Sequence, residues 1–273
     1  MPAVGAVIVP RNVAARPSSK TIGSTKPSIC TLNRPDVFNS FDQNMGRSFQ
    51  LALDEAAGNR NVRCVVITGT GRAFCAGQDL AEAIDPSQTE LPKIVEEHYN
   101  PIIVRLRKIE KPIVCAVNGV AAGAGANIAL ACDIVVAHEK VSFIQAFSLI
   151  GLIPDSAGTF FLPRLIGFQK ALALAMLGDK IGAEEAERLG MIYKYVPSDE
   201  FQETINKLAL KLANMPTKAL GMIKELFNKS MTNTLEEQLD MESKYQIEAA
   251  QSEDYAEGVT AFIEKRKPNF KGK

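Results

Sequence analysis

Three β-branched runs, Val62 to Thr68, Pro112 to Val117 and Asp133 to Ala137, alternate with helix-like stretches over Gln43 to Ala57 and Val95 to Ile109. Each run is short and mostly apolar, the pattern of a strand covered on both faces. Strands separated by helix-length segments pair in parallel through crossovers, so the order predicts stacked βαβ units around a parallel sheet, an α/β architecture. Ile29 to Leu32 is a candidate earlier strand. Past Asp155 the β signal fades. Ala171 to Leu177, Ala183 to Leu189, Asp199 to Ala213, Thr217 to Ser230 and Leu235 to Ala250 read as helices, punctuated by Gly178, Gly190, Pro197 and Pro216. The chain divides into a tail over 1–26, expected to be disordered, a core over 27–199 and a helical C-terminal region over 200–273.

Charge and cysteine usage exclude several classes. Lysine plus arginine equals aspartate plus glutamate at 31 each, so no global field attracts nucleic acid, and an acidic ligand must be held by local basic residues. The cysteines (Cys30, Cys64, Cys75, Cys115, Cys132) are odd in number, widely spaced and mostly flanked by Val, Ile or Ala, as reduced thiols filling a core would be. No apolar run approaches the ~20 residues of a membrane span, so no membrane partner is expected and the compartment reads as cytoplasmic. Met1 to Pro35 carries Arg11, Arg16, Lys20, Lys26 and Arg34 but no acid. That suits either a mitochondrial presequence or a plain tail before the first strand.

The chemistry gathers in three stretches. Asp155 follows Pro154 among Phe147, Leu149, Ile150, Leu152, Ile153, Phe160 and Phe161. Partial desolvation there would strengthen its carboxylate as a base, while an Asp ahead of a helix pattern equally suits an N-cap. Arg72 to Leu80 and Asn118 to Asn127 are turns of small residues, in which Gln78 and Ala124 each follow a glycine. Two such main-chain N–H groups aimed at one oxygen form an oxyanion hole, and losing one donor costs about 3–4 kcal/mol of transition-state stabilisation. Alternatively the glycines only make turns, and the Ala/Gly-rich stretch from Val120 to Ala131 only lets a helix pack closely.

Taken in order, Asn33-Arg34-Pro35, Phe74-Cys75-Ala76-Gly77-Gln78-Asp79-Leu80, Lys111-Pro112, Asn118-Gly119-Val120-Ala121-Ala122-Gly123-Ala124-Gly125, Asp133-Ile134 and Gly151-Leu152-Ile153-Pro154 resemble the enoyl-CoA hydratase/isomerase (crotonase) family over residues 27 to 270. The resemblance implies a spiral of ββα repeats with a helical C-terminal trimerisation region, hence a homotrimer or homohexamer. It implies an acyl-coenzyme A thioester as ligand, with its carbonyl between the N–H groups of Gln78 and Ala124. Arg34, Ala76, Gln78, Asp79 and Leu80 are then substrate-binding candidates. Phe262 and Lys265, in the basic C-terminal helix end, are candidates for the coenzyme's adenine and phosphates, often reached from a neighbouring subunit; a solvated terminus is the plain alternative. The resemblance implies no metal and no cofactor beyond the coenzyme A of the substrate.

Typical hydratases of this family hold two glutamates, and the matching positions here are Asn127 and Phe147, neither an acid nor a base. Tyr99-Asn100-Pro101, Gln78, Ala146-Phe147-Ser148 and Leu152-Ile153-Pro154-Asp155 instead resemble the ring-epoxyphenylacetyl-CoA isomerase branch, in which the Asp matching Asp155 is the catalytic base. Related aryl-CoA dehalogenases use that Asp as a nucleophile with a histidine, whose place Asn100 takes. His98 and His138 read as solvated residues. Two departures stand out. Ala157 replaces the usual second glycine after the Asp, which strains the loop if positive φ is needed there. The segment before Ser28 also does not look like the family's first strand. The expected function is therefore a one-base acyl-CoA isomerase, with an enoyl-CoA hydratase or a non-catalytic scaffold or RNA-binding protein as alternatives.

Overall fold

The protein is described by a computed structural model covering residues 13–15, 26–84 and 91–273. The expected tail over 1–26 lies largely outside the described residues; within it, β1 (Val13–Ala15) runs antiparallel to β2 (Lys26–Leu32). Two sheets follow the spiral. The larger has the order β1-β2-β3-β5-β7-β10, with β3 Val62–Gly69, β5 Ile113–Val117, β7 Ile134–His138 and β10 Lys194–Val196, parallel from β2 onward. The smaller has the order β4-β6-β8-β9, with β4 Ala73–Cys75, β6 Val120–Ala122, β8 Ser142–Ile144 and β9 Lys180–Gly182. Each long strand β3, β5 and β7 thus turns into a short strand of the second sheet before a helical segment, the ββα repeat that the resemblance implied.

The apolar runs are explained by what covers them. Along β3, Val65 and Ile67 face the main core while Cys64 and Val66 face the opposite cluster. Along β5, Cys115 and Val117 point inward while Val114 and Ala116 point outward. The period of two is present, but apolar residues occupy both phases because both faces are buried. The inner face meets α1 (Gln43–Gly58) through Met45, Phe49 and Leu53. The outer face meets a later helix, identified below, through Phe201, Ile205, Ala209 and Leu212. All five cysteines are buried and unpaired by disulfides, and burial pushes the thiols of Cys30, Cys64 and Cys75 up to about 12.

In chain order the remaining helices are α2 (Leu80–Ala83), α3 (Leu91–Lys93), α4 (Asn100–Lys108), α5 (Ala124–Leu130), α6 (Gly158–Ile166), α7 (Phe168–Leu177) and α8 (Ala183–Arg188). They end with α9 (Phe201–Ala213), which covers the outer face, then α10 (Thr217–Ser230), α11 (Leu235–Ala250) and α12 (Glu253–Ile263). A π-helical turn over Ile94–Tyr99 joins α3 to α4 where one regular helix over Val95 to Ile109 was expected. Asp133, at the opening of β7, accepts from Arg107 at 2.9 Å, Lys224 at 2.9 Å and the Ile113 N–H at 2.9 Å, which fastens α10 to the sheet. Among the described residues no helix is long and apolar enough to cross a membrane.

The two histidines correct the expectation of solvation. His98 is 2% exposed, its Cβ 3.1 Å from where a Gly46 side chain would begin, because the π-turn adds a residue and rotates both His98 and Tyr99 inward. His138 is half-buried: its Nε2 lies 2.6 Å from the Asn118 carbonyl and its ring stands edge-on to Phe201 at 5.5 Å.

Candidate active site

The two small-residue turns meet. A Cβ built on Gly77 would lie 3.1 Å from the Ala122 carbonyl oxygen and 3.6 Å from the Ala124 nitrogen, so the Gln78 turn lies against the N-terminus of α5. Gly77 has φ +95°, which L side chains rarely adopt. Its carbonyl accepts from the Phe41 N–H at 2.7 Å, and the Phe41 carbonyl accepts from the Asp79 N–H at 2.8 Å. Parallel bridging of this kind turns the Gln78 N–H away from Phe41. Ala124 is the first residue of α5, where a helix leaves its amide unsatisfied. Neither amide has an acceptor among the described residues.

The Ala/Gly-rich stretch serves packing as well. All of α5 is buried, and a Cβ on Gly125 would meet the Cys75 carbonyl oxygen at 2.4 Å. Glycine there is what lets the N-terminus of α5 approach the end of β4.

Asp155 is not an N-cap. The cap of α6 is Ala157, without a side-chain bond, and the Asp155 carboxylate instead accepts from the Ser156 hydroxyl at 2.9 Å. Burial raises its pKa to about 6, against the smaller opposing pull of the Ser156 hydroxyl and its own backbone N–H. The turn is strained: Ser156 (φ 50°) and Ala157 (φ 59°) are consecutive left-handed non-glycine residues. The departure at Ala157 thus falls where a glycine would be free, and the cost is of order 1 kcal/mol for that residue.

Asn127 and Phe147 take other parts. The Asn127 side chain donates to the Asp155 carbonyl at 2.8 Å and accepts from Gln145 Nε2 at 2.8 Å. A residue one turn along α5 from Ala124 therefore latches the Asp155 backbone. Phe147 is buried, its ring 3.7 Å from where a Gly123 Cβ would lie, and forms an apolar wall beside the Ala124 amide. Beside the Asp155 turn, Gln145, Pro154, Gly158, Thr159, Leu162 and Phe168 line a mostly apolar cavity of about 200 Å³.

The other candidates divide. Arg34 donates to Asp79 at 2.9 Å and to the Ser40 carbonyl at 2.6 Å and pairs with Asp42 at 3.3 Å, while Asp79 also caps α2 through the Ala81 N–H at 3.1 Å. Both residues are engaged in bracing the Gln78 turn. The Ala76 N–H is bonded to the Phe38 carbonyl at 3.0 Å, and Leu80 is 54% exposed beside the turn. Asn100 is exposed at the start of α4. Phe262 and Lys265 lie exposed at the end of α12, which packs on α11. The tail beyond α12 is tied to Arg63 at the opening of β3, the strand's far end from the Gln78 turn.

Sequence reasoning passed over Glu82, Gln145 and the side-chain partners of Gln78. The Gln78 Nε2 donates to Glu82 Oε2 at 2.9 Å, and its Oε1 accepts from the Tyr99 hydroxyl at 2.8 Å. An acid four residues past Gln78 at a helix start was the available signal for Glu82. A lone glutamine closing the apolar strand β8 was the signal for Gln145.

Taken together, one desolvated carboxylate and two amides without acceptors on adjoining turns are the parts needed to take a proton from a carbon acid and stabilise the resulting oxyanion. The profile of the enoyl-CoA hydratase/isomerase family matches residues 26–273. The chain is 48% identical to the 1,2-epoxyphenylacetyl-CoA isomerase of Escherichia coli, covering 89% of this chain and 94% of that protein. It is 36% identical to the trans-2-decenoyl-[acyl-carrier-protein] isomerase of Streptococcus mutans, covering 89% and 94%. The crystal structure of an enoyl-CoA hydratase from Bacillus anthracis superposes with a TM-score of 0.86 at 30% identity, covering 96% of this chain and 100% of that one. With the family profile and the relatives matching along nearly the whole chain and the fold shared with solved members, this protein belongs to the enoyl-CoA hydratase/isomerase family.

Proposed function

We propose that this chain is an acyl-CoA isomerase that works through a thioester enolate with one acid/base group. Asp155 removes a proton from the carbon next to the thioester carbonyl. The electron pair moves onto the carbonyl oxygen, which the Gln78 and Ala124 N–H groups hold as the enolate. Asp155 then returns the proton at the γ-carbon, so the double bond moves into conjugation with no net redox change. The carrying observation is that burial raises the pKa of the Asp155 carboxylate to about 6, while Asn127 and Phe147 stand at the positions where the family resemblance places the two glutamates that add water. The same enolate chemistry suits a ring-epoxide rearrangement, and the reaction needs no metal or cofactor beyond the coenzyme A of the substrate.

The test is to supply 3-enoyl-CoA and crotonyl-CoA separately. Conjugated 2-enoyl-CoA is expected to appear from the first, with little hydration of the second; efficient hydration would overturn the assignment in favour of a hydratase. The pH dependence carries its own sign. Asp155 must be ionised to act, so kcat/KM is expected to rise through about pH 6 and level off above it, and a profile flat from pH 5 to 7 would contradict the role.

We also infer that the working form is a homotrimer or a pair of trimers. Phe168 and Met176 on α7, Phe227 on α10 and Leu235 on α11 are each about two-thirds exposed, large apolar side chains that contact between copies would cover. In such an assembly Phe262 and Lys265 would serve the coenzyme of a neighbouring site. Light scattering tests this, and a monomer at micromolar concentration would reject it.

A further inference from the structure

We propose that Tyr99 is a positioning residue for the oxyanion hole: its hydroxyl, acting through the Gln78 side chain and Glu82, fixes the direction of the Gln78 main-chain N–H. The inference rests on the enolate reading above and adds a residue to it.

Gln78 is held from both ends of its side chain and from both sides of its backbone. Its Oε1 accepts from the Tyr99 hydroxyl at 2.8 Å and its Nε2 donates to Glu82 Oε2 at 2.9 Å. The other Glu82 oxygen accepts from the Gln43 N–H at 2.9 Å, at the first residue of α1, so the chain of bonds ends on a core helix. On the backbone side, Phe41 bonds to Gly77 and to Asp79, the residues flanking Gln78. The Tyr99 ring packs on that same Phe41, with centroids 5.8 Å apart and planes tilted by 60°. Tyr99 therefore touches both devices that orient this amide.

Tyr99 and Glu82 are 1% and 7% exposed, so water cannot readily stand in for either partner. The π-turn over Ile94–Tyr99 is what directs Tyr99 inward, and such turns are frequent at functional sites. Burial first, and the neighbouring Cys75 thiol and Asp155 and Glu82 carboxylates after it, push the Tyr99 hydroxyl well above its usual pKa, which keeps it a neutral donor. Removing that donor leaves the Gln78 carbonyl oxygen short of a partner, and the side chain will turn to find one. An oxyanion hole acts by being aimed before the charge forms, so a loosened Gln78 turn weakens the transition state more than the ground state.

The test uses the full-length protein with Tyr99→Phe, Gln78→Leu, which keeps the main-chain N–H, and the double variant. Tyr99→Phe is expected to lower kcat for 3-enoyl-CoA about tenfold with KM within about twofold, and to leave the acid limb of the pH profile in place. The infrared carbonyl band of a bound saturated acyl-CoA, shifted in the wild type by polarisation, should move back toward its free position. The double variant should be no worse than Gln78→Leu, because both remove one connection. Unchanged kcat and carbonyl band in Tyr99→Phe, or additive losses in the double variant, would overturn the inference while leaving the isomerase reading intact. Should Tyr99→Phe fail to fold, Gln78→Leu breaks the same bond from its other end and must show the same band shift. A wild-type thioester band that does not move on binding would overturn the enolate reading and this inference together.

Discussion

Replacing Asp155 with asparagine is expected to lower isomerase turnover by about 10²–10⁴-fold and at the same time to raise the melting temperature. The two effects share a cause. In the folded protein burial raises the Asp155 pKa from 3.8 to about 6, a difference of about two units, so holding this carboxylate ionised costs the native state on the order of 2–3 kcal/mol. Above pH 6 the group is ionised in both folded and unfolded chains and the whole cost is present. As the pH falls from 6 toward 4 the folded state takes up a proton that the unfolded chain does not, and the cost is relieved; below 4 both states are protonated and it is gone. The substituted amide is never ionised, keeps an acceptor for the Ser156 hydroxyl and carries none of this cost. Allowing for an imperfectly satisfied amide, the gain should be about 1–2 kcal/mol at pH 7.5, or roughly 2–8 °C in Tm, and should vanish near pH 4. Calorimetry at the two pH values with a turnover assay at the upper one decides the matter. A variant that retains turnover removes Asp155 from the chemistry, and a stability change independent of pH removes desolvation as the cause of its raised pKa.

The longer elements were readable because their physics is local. The runs at β3, β5 and β7 are apolar in both phases, and α1, α10 and α11 carry helical periodicity over several turns. The second sheet was not readable, because β4, β6, β8 and β9 have three residues each, too few for a period to register. The inward rotation of His98 and Tyr99 depends on a single extra residue in the turn Ile94–Tyr99, which no spacing rule marks. At the site, Asp155 and the two glycine-led turns could be picked out by residue type and order. What residue type alone could not supply is that Asn127 would latch the Asp155 carbonyl, or that Arg34 and Asp79 would be paired with each other, since both depend on segments brought together from far apart in the chain.

Gly77→Ala should be the most damaging single change that leaves every reacting atom in place. Two physical penalties meet at this position. At φ +95° an added Cβ is strained whatever the space, by about 1–2 kcal/mol, and here the space is also taken: the Ala122 carbonyl oxygen would be 3.1 Å away and the Ala124 nitrogen 3.6 Å. The turn cannot yield freely, because Phe41 holds Gly77 by its carbonyl and Asp79 by its N–H. The strain is therefore relieved by pushing β6 and the start of α5 away, which separates the two amides proposed to hold one oxygen. Misaligning one oxyanion donor forfeits much of the ~3–4 kcal/mol it supplies, so kcat is expected to fall about 10²-fold or more with Asp155 untouched. Gly190→Ala provides the control for backbone strain alone: it has φ +78°, and its nearest obstacle is the Leu165 carbonyl oxygen at an ordinary 3.5 Å. That variant should lose only the stability that the strain itself costs and keep its turnover. If both variants lose stability and keep kcat, the Gln78 and Ala124 amides are not the oxyanion hole; if only Gly77→Ala loses kcat, the spacing of those two turns is what the chemistry depends on.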